Sequence, residues 1–142
     1  MMRRGVRFAV LILASSILAA GTSLAQESDT KAAQASTDAW LSLVDHQGYA
    51  TSWDSAASGF RARITREQWQ TAVQGAREPL GPLKSRTLKS ATSTTTLPGA
   101  PDGQYVVFQF NTTFEHKSAA TETVTAVREA DGSWHVGGYF VK

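Results

Sequence analysis

Once the chain passes residue 30, apolar residues recur at a helical interval. Ala33, Thr37, Trp40, Leu41 and Val44 stand at i, i+4, i+7, i+8 and i+11, one face of a 3.6-residue period. The spacing predicts an amphipathic helix starting near Lys31, with Asp29 or Thr30 as cap. Gly48 is placed to end it as the first residue past the last turn. Residues 49–60 predict a second, short helix with Trp53, Ala56, Ala57 and Phe60 on one face, though Gly59 weakens its last turn. A third helix has the sharpest start in the chain. Thr65 and Gln68 form a capping box, and Ile64 with Trp69 forms the hydrophobic staple around it. Trp69, Ala72, Val73 and Ala76 make its apolar stripe, and Pro79 stops it at Glu78. Trp69 reads as a core anchor rather than a ligand-stacking ring.

After Leu83 the period changes to two. Residues 83–97, with Thr94, Thr95 and Thr96 in a row, predict a polar strand at a sheet edge. Residues 97–103 (LPGAPDG) predict a hairpin connection. Residues 104–115 then alternate: Val106, Phe108, Phe110 and Phe114 point inward, and Gln109, Asn111, Thr113 and Glu115 outward. Residues 121–129 predict a third strand. There Val124 and Val127 are out of phase, which predicts a bulge between them. Asp131-Gly132 predicts a tight hairpin, and residues 133–142 a last strand with Trp134, Val136 and Phe140 on one face. Gly137-Gly138 within it predicts a kink or a close backbone approach. The whole reads as α+β: three N-terminal helices packed on one face of a four-stranded antiparallel sheet.

The first 25 residues stand outside that pattern. Arg3, Arg4 and Arg7 precede an apolar run over residues 8–20, and Ser23-Leu24-Ala25 offers a small-x-small exit before Gln26. This predicts a signal peptide cleaved between Ala25 and Gln26, and a periplasmic or secreted protein. With no cysteine after the apolar run, a lipoprotein anchor is excluded. Residues 26–30 read as a loose polar leader and residues 31–142 as one domain. Cleavage also changes the charge. Three arginines leave and no acid does, so fourteen basic residues become eleven against twelve acidic ones, and a net of +2 becomes −1. The positive field that a nucleic-acid partner needs is then missing. No membrane span is expected beyond the signal.

These residues resemble a family of unknown function, DUF 4019. The likeness is carried by Trp40-Leu41 with Val44-Asp45, Ser52-Trp53-Asp54, Phe60, Gln68-Trp69, Arg77 and Pro79-Leu80-Gly81. Ser85-Arg86, the 97–103 loop, Tyr105-Val106-Val107, Phe110, Phe114, Lys117, Glu122-Thr123-Val124, Asp131-Gly132, Trp134 and Gly138-Tyr139 continue it. The resemblance covers nearly all of residues 26–142 and implies an exported bacterial domain. It brings no catalytic residues. The order of elements is also similar to cystatin-like and nuclear-transport-factor-like folds, in which a curved sheet wraps helices into a cone; that likeness concerns fold alone.

Candidate chemistry is sparse. The chain has no cysteine, which removes thiolate metal sites, cysteine nucleophiles and disulfides. His46, His116 and His135 lack metal-ligand spacing and read as surface residues. No phosphate-binding glycine loop or nucleophile elbow is present, and no cofactor or metal is expected. What remains is Asp45, Tyr49, Asp54, Arg77 and Arg86 around the helix tryptophans. Asp45 falls in the last turn of the first helix, where an acid opposes the helix dipole. It therefore needs a partner, and Arg61, Arg77 and Arg86 are the candidates. Two functions fit. One is a non-catalytic module binding a small apolar ligand or an envelope protein. The other is a small acid–base enzyme of the isomerase or hydrolase sort, with Asp45 or Asp54 as base and Tyr49 as donor. The threonine-rich edge strand also offers pairing to a second copy.

Overall fold

A computed structural model describes residues 18–142. The basic and early apolar parts of the expected signal peptide, residues 1–17, lie outside the described residues. Four α-helices lead, α1 (Leu18–Asp45), α2 (Tyr49–Asp54), α3 (Ser58–Arg63) and α4 (Arg66–Arg77), and a 3₁₀ turn (Glu78–Leu80) follows. Then come β1 (Leu83–Thr94), β2 (Tyr105–Phe114), β3 (Lys117–Arg128) and β4 (Trp134–Val141). The strands form one open antiparallel sheet in the order β1-β2-β3-β4. The architecture is α+β. Among the described residues no helix is long and apolar enough to cross a membrane.

The inward stripe of α1 is the expected one: Ala33, Thr37, Trp40, Leu41 and Val44 are all buried. Its start differs. The helix already runs through residues 26–30 instead of beginning near Lys31. The polar side chains there serve the helix, since Thr30 Oγ1 donates to the Gln26 carbonyl four residues back at 2.9 Å and Lys31 faces Glu27 at 3.8 Å. Its end also differs. Gln47 at φ 63, not Gly48, takes the left-handed position. The Gly48 N–H bonds the Leu43 carbonyl at 2.7 Å and the Gln47 N–H bonds Val44 at 3.0 Å, which is the Schellman pattern. Glycine is needed at 48 for proximity: a Cβ there would sit 3.0 Å from the Leu43 carbonyl oxygen.

The expected second helix is broken into α2 and α3. The break docks the chain on β4: the Ala57 N–H bonds the Val136 carbonyl at 2.8 Å, and His135 Nδ1 lies 3.0 Å from the Ser55 carbonyl. Those bonds replace the helical ones that a continuous 49–60 helix would make. Helix α4 begins as expected, with both capping-box bonds formed. Its buried stripe is narrower than expected. Trp69, Val73 and Arg77 face inward, while Ala72 and Ala76 are exposed, because the helix touches its neighbours along one i, i+4, i+8 line.

Tryptophans tie the helices together. Ser52 is fully buried. Its carbonyl accepts from Trp40 Nε1 and its hydroxyl from Trp69 Nε1, each at 2.9 Å, while the hydroxyl donates to the Tyr49 carbonyl. Trp40 and Trp69 lie 5.9 Å apart, and Phe60 meets Trp69 edge-on at 5.0 Å. Trp53 donates to the Ile64 carbonyl at 2.8 Å.

In the sheet, β2 alternates as read, with Val106, Phe108, Phe110 and Phe114 buried and Thr112 among them. Strand β1 is a sheet edge, as its threonines predict. The bulge expected in β3 lies instead in β4. Thr125 faces Gly138 and Ala126 faces Val136, so Gly137 is the extra residue. It sits against Val127 and Ala57; a Cβ at 137 would be 3.3 Å from Val127 Cγ1. Two consequences follow. β3 keeps strict alternation, so Ala120, Glu122, Val124 and Ala126 share the core face and Val127 does not. Beyond the bulge β4 changes phase, so Tyr139 packs on the core and Phe140, expected inward, is 59% exposed.

Candidate functional site

Four charged side chains converge where α1 and α4 end over the sheet. Asp45 comes from the last turn of α1 and Arg77 from the last turn of α4. Arg86 stands on β1 opposite Thr112 of β2, and Glu122 on β3. Arg77 Nη2 donates to Asp45 Oδ1 at 2.8 Å. Arg86 spans both acids. Its Nη1 and Nη2 reach Asp45 Oδ2 and Oδ1 at 2.8 and 2.9 Å. Its Nε and Nη2 reach Glu122 Oε1 and Oε2 at 2.7 and 3.2 Å. Thr112 donates to Glu122 Oε1 at 2.6 Å and the Tyr139 hydroxyl to Oε2 at 2.5 Å. Two acids and two arginines make the group neutral. Glu122 is fully buried, and the other three side chains are 5 to 13% exposed.

The network joins α1, α4 and all four strands. Pairing is what permits four charges at this depth, since an unpaired buried ion costs several kcal/mol. Burial by itself raises the Asp45 pKa. Hydrogen bonds from Arg86 and then Arg77, with their charges, more than offset this and hold the carboxyl below its ordinary value. Burial, the charge of Glu122 and its hydrogen bond push the Tyr139 phenol well up, with Arg77 opposing. Burial lowers the Arg77 and Arg86 pKa, but their anionic neighbours dominate and leave both raised. Nε and Nη1 of Arg77 are buried and meet no acceptor among the described residues; Cζ of the same guanidinium lies 4.8 Å from the centre of the Phe114 ring.

The five residues singled out from sequence divide. Asp45, Arg77 and Arg86 are in contact. Tyr49 stands beside them, lining with Asp45, Arg77, Gln47, Gln74 and Glu78 a groove of about 310 Å³. Asp54 is apart, in an exposed pair with Arg66 at 2.9 Å. Arg61 is no partner of Asp45; its guanidinium lies 6.0 Å from the Trp53 ring. Glu122, Thr112 and Tyr139 were missed. Each is a polar residue at an inward strand position, and the parity of β2 and β3 was the signal that places the first two. Among the described residues no cluster of three or more His, Asp or Glu is arranged to hold a metal ion.

A second groove, of about 430 Å³, lies at the other end of α1. It is walled by Ala25, Gln26 and Asp29 of the helix, Ser93, Thr94 and Thr95 at the end of β1, and Gln104, Tyr105, Val106 and Trp134. The Tyr105 hydroxyl donates to the Pro101 carbonyl.

The family model described as "Protein of unknown function (DUF4019)" matches residues 36–139. The chain belongs to the DUF4019 family. The matched span opens inside α1 and closes on Tyr139, so it takes in every member of the ionic network. It leaves out the first turns of α1, which wall the second groove. Comparison of this DUF4019 chain with curated proteins gives no match.

Proposed function

We propose that this DUF4019 chain is an exported, periplasmic or secreted binding module without catalytic activity, and that its ligand is a small apolar molecule. The observation that carries the reading is the groove between α1 and Trp134: cleavage before Gln26 takes Ala25 from its wall, Tyr105, Val106 and Trp134 still offer apolar surface, and among the described wall residues Asp29 alone has a charged side chain. The sheet in this reading curves around the helices as in cystatin-like and nuclear-transport-factor-like cones. The pairing of Asp45 with two arginines supports the non-catalytic half. A general base needs a free lone pair near its target and a pKa near the working pH. Asp45 instead has both oxygens held by arginines and its pKa lowered.

An acid–base enzyme is the second reading, because Asp45, Tyr49 and Arg77 share a groove. An envelope protein or a second copy pairing along β1 would be the alternative partner. A native mass spectrum of the gently purified protein, followed by titration with a neutral naphthylamine fluorophore, separates these. Extra mass on the monomer, and probe binding that Ser93→Arg abolishes, are the expected results. Equal probe binding by wild type and variant would remove the groove from consideration. A clean dimer would move attention to β1.

A further inference from the structure

We propose that the exported chain carries a pyroglutamyl N-terminus, formed by ring closure of Gln26. The inference rests on the export reading, in which cleavage after Ala25 leaves Gln26 first. The freed α-amine attacks the side-chain amide carbon. The N–Cδ bond forms, the Cδ–Nε2 bond breaks, and the amide nitrogen leaves as ammonia with a proton from the amine. No oxidant, reductant or co-reactant is needed. All five ring atoms (N, Cα, Cβ, Cγ and Cδ) belong to Gln26, and its carbonyl is not among them. That carbonyl therefore keeps its bond from Thr30 Oγ1 at 2.9 Å, and the ring closes without unwinding the first turn of the shortened α1.

The surroundings favour the reaction. Attack needs the neutral amine. An α-amino group titrates near about 7.7–8.0, and the positive end of a helix disfavours a further positive charge. Two carboxylates near this end, Glu27 and Asp29, would favour the ammonium form, but each already faces a cation. Lys31 Nζ lies 3.8 Å from Glu27, and Arg128 Nη1 lies 3.7 Å from Asp29. Gln26 is exposed, so its side chain is free to rotate onto its own nitrogen. It also lines the groove of Tyr105, Val106 and Trp134. Ring closure replaces an ammonium ion at that mouth with a neutral lactam, the better neighbour for an apolar ligand.

The test is the intact mass of the full chain, expressed with its own residues 1–25 and recovered from the exported fraction, together with N-terminal sequencing. The expected species is residues 26–142 less one ammonia, with a blocked N-terminus. The undiminished mass of residues 26–142 would overturn the cyclisation and leave export standing. A start at any other residue would overturn the assumed cleavage position, and the proposal with it. Gln26→Ala is expected to give an undiminished mass and an open N-terminus; a loss of ammonia that persisted in this variant would place it elsewhere in the chain and refute the assignment.

Discussion

Replacing Arg86 with methionine tests whether the ionic network holds the domain together. Methionine keeps the unbranched stem and removes the guanidinium. Four hydrogen bonds to carboxylate oxygens disappear, two on Asp45 and two on Glu122. Asp45 retains Arg77. Glu122, fully buried, is left with only the hydroxyls of Thr112 and Tyr139. Removing one member of a buried ion pair costs about 3–5 kcal/mol, mostly the penalty of the stranded charge. For a domain of this size each kcal/mol moves the midpoint by roughly 3–5 °C, so Arg86→Met should melt about 10–20 °C lower. Urea unfolding at neutral pH, followed by tryptophan fluorescence, gives the free energy. Glu122→Gln and the double variant complete a cycle. The double variant should be less destabilised than the two singles together, by about 1–3 kcal/mol, because the neutral amide no longer strands a charge. A loss under about 1 kcal/mol for Arg86→Met, or additivity within about 0.5 kcal/mol, would show that the network is energetically idle and refute the reasoning.

Three further outcomes are expected. Asp45 has a folded pKa below its ordinary value, so its contribution is present above the unfolded value near about 3.9 and is lost as pH falls through the folded one; Asp45→Asn should be clearly less stable than wild type at pH 6, and the gap should close on acidification below about pH 4. A gap that widened there would reverse the sign and contradict the pairing. Ser52→Ala strands the buried Trp69 Nε1 donor and should cost about 1–3 kcal/mol in urea unfolding, while Trp40 keeps its bond to the backbone carbonyl of residue 52; a neutral result would mean that the indole had found another acceptor. Gln47→Gly relieves a left-handed backbone at φ 63 and should raise stability by up to about 1 kcal/mol; a loss would show that the Gln47 side chain makes contacts worth more than that strain.

What the sequence made legible follows from how each element is stabilised. The α1 stripe, the α4 capping box and the β2 alternation were readable because each is local: one period or one four-residue motif decides it. Bulge placement was not local. Val124 and Val127 conflict in β3, and a bulge between them resolves the conflict within one strand. The structure resolves it from the neighbouring strand, where Gly137 is the extra residue and lies against Val127 and Ala57. Sequence could locate the glycine pair but not the side of the ladder that absorbs the irregularity. That one displacement turns Phe140, expected inward, to solvent and Tyr139 to the core, since a register step of one residue exchanges the two faces of everything beyond it.

The candidate site was half legible for a related reason. Asp45 at a helix C-terminus is in electrostatic conflict with its own helix, and that conflict announces a cationic partner. Arg77 and Arg86 were therefore within reach of argument. Glu122 was missed because an acid in a strand defaults to the wet face. Its neighbours argue otherwise: Thr121, Thr123 and Thr125 occupy one parity, and Ala120, Val124 and Ala126 the other. The hydroxyl-bearing row is the solvent row, so Glu122 belongs inside with the alanines and valine. A buried acid then requires a cation, and Arg86 shares its parity with Thr112, the residue paired across to β1. Asp54 also ends a helix, but it resolves that conflict in solvent with a local partner. The helix has six residues and the partner is Arg66, so proximity to Trp53 in sequence was a poor reason to join it to the site. In this family the residues to examine first are those whose charge contradicts their position, because each such contradiction demands a named partner elsewhere in the fold.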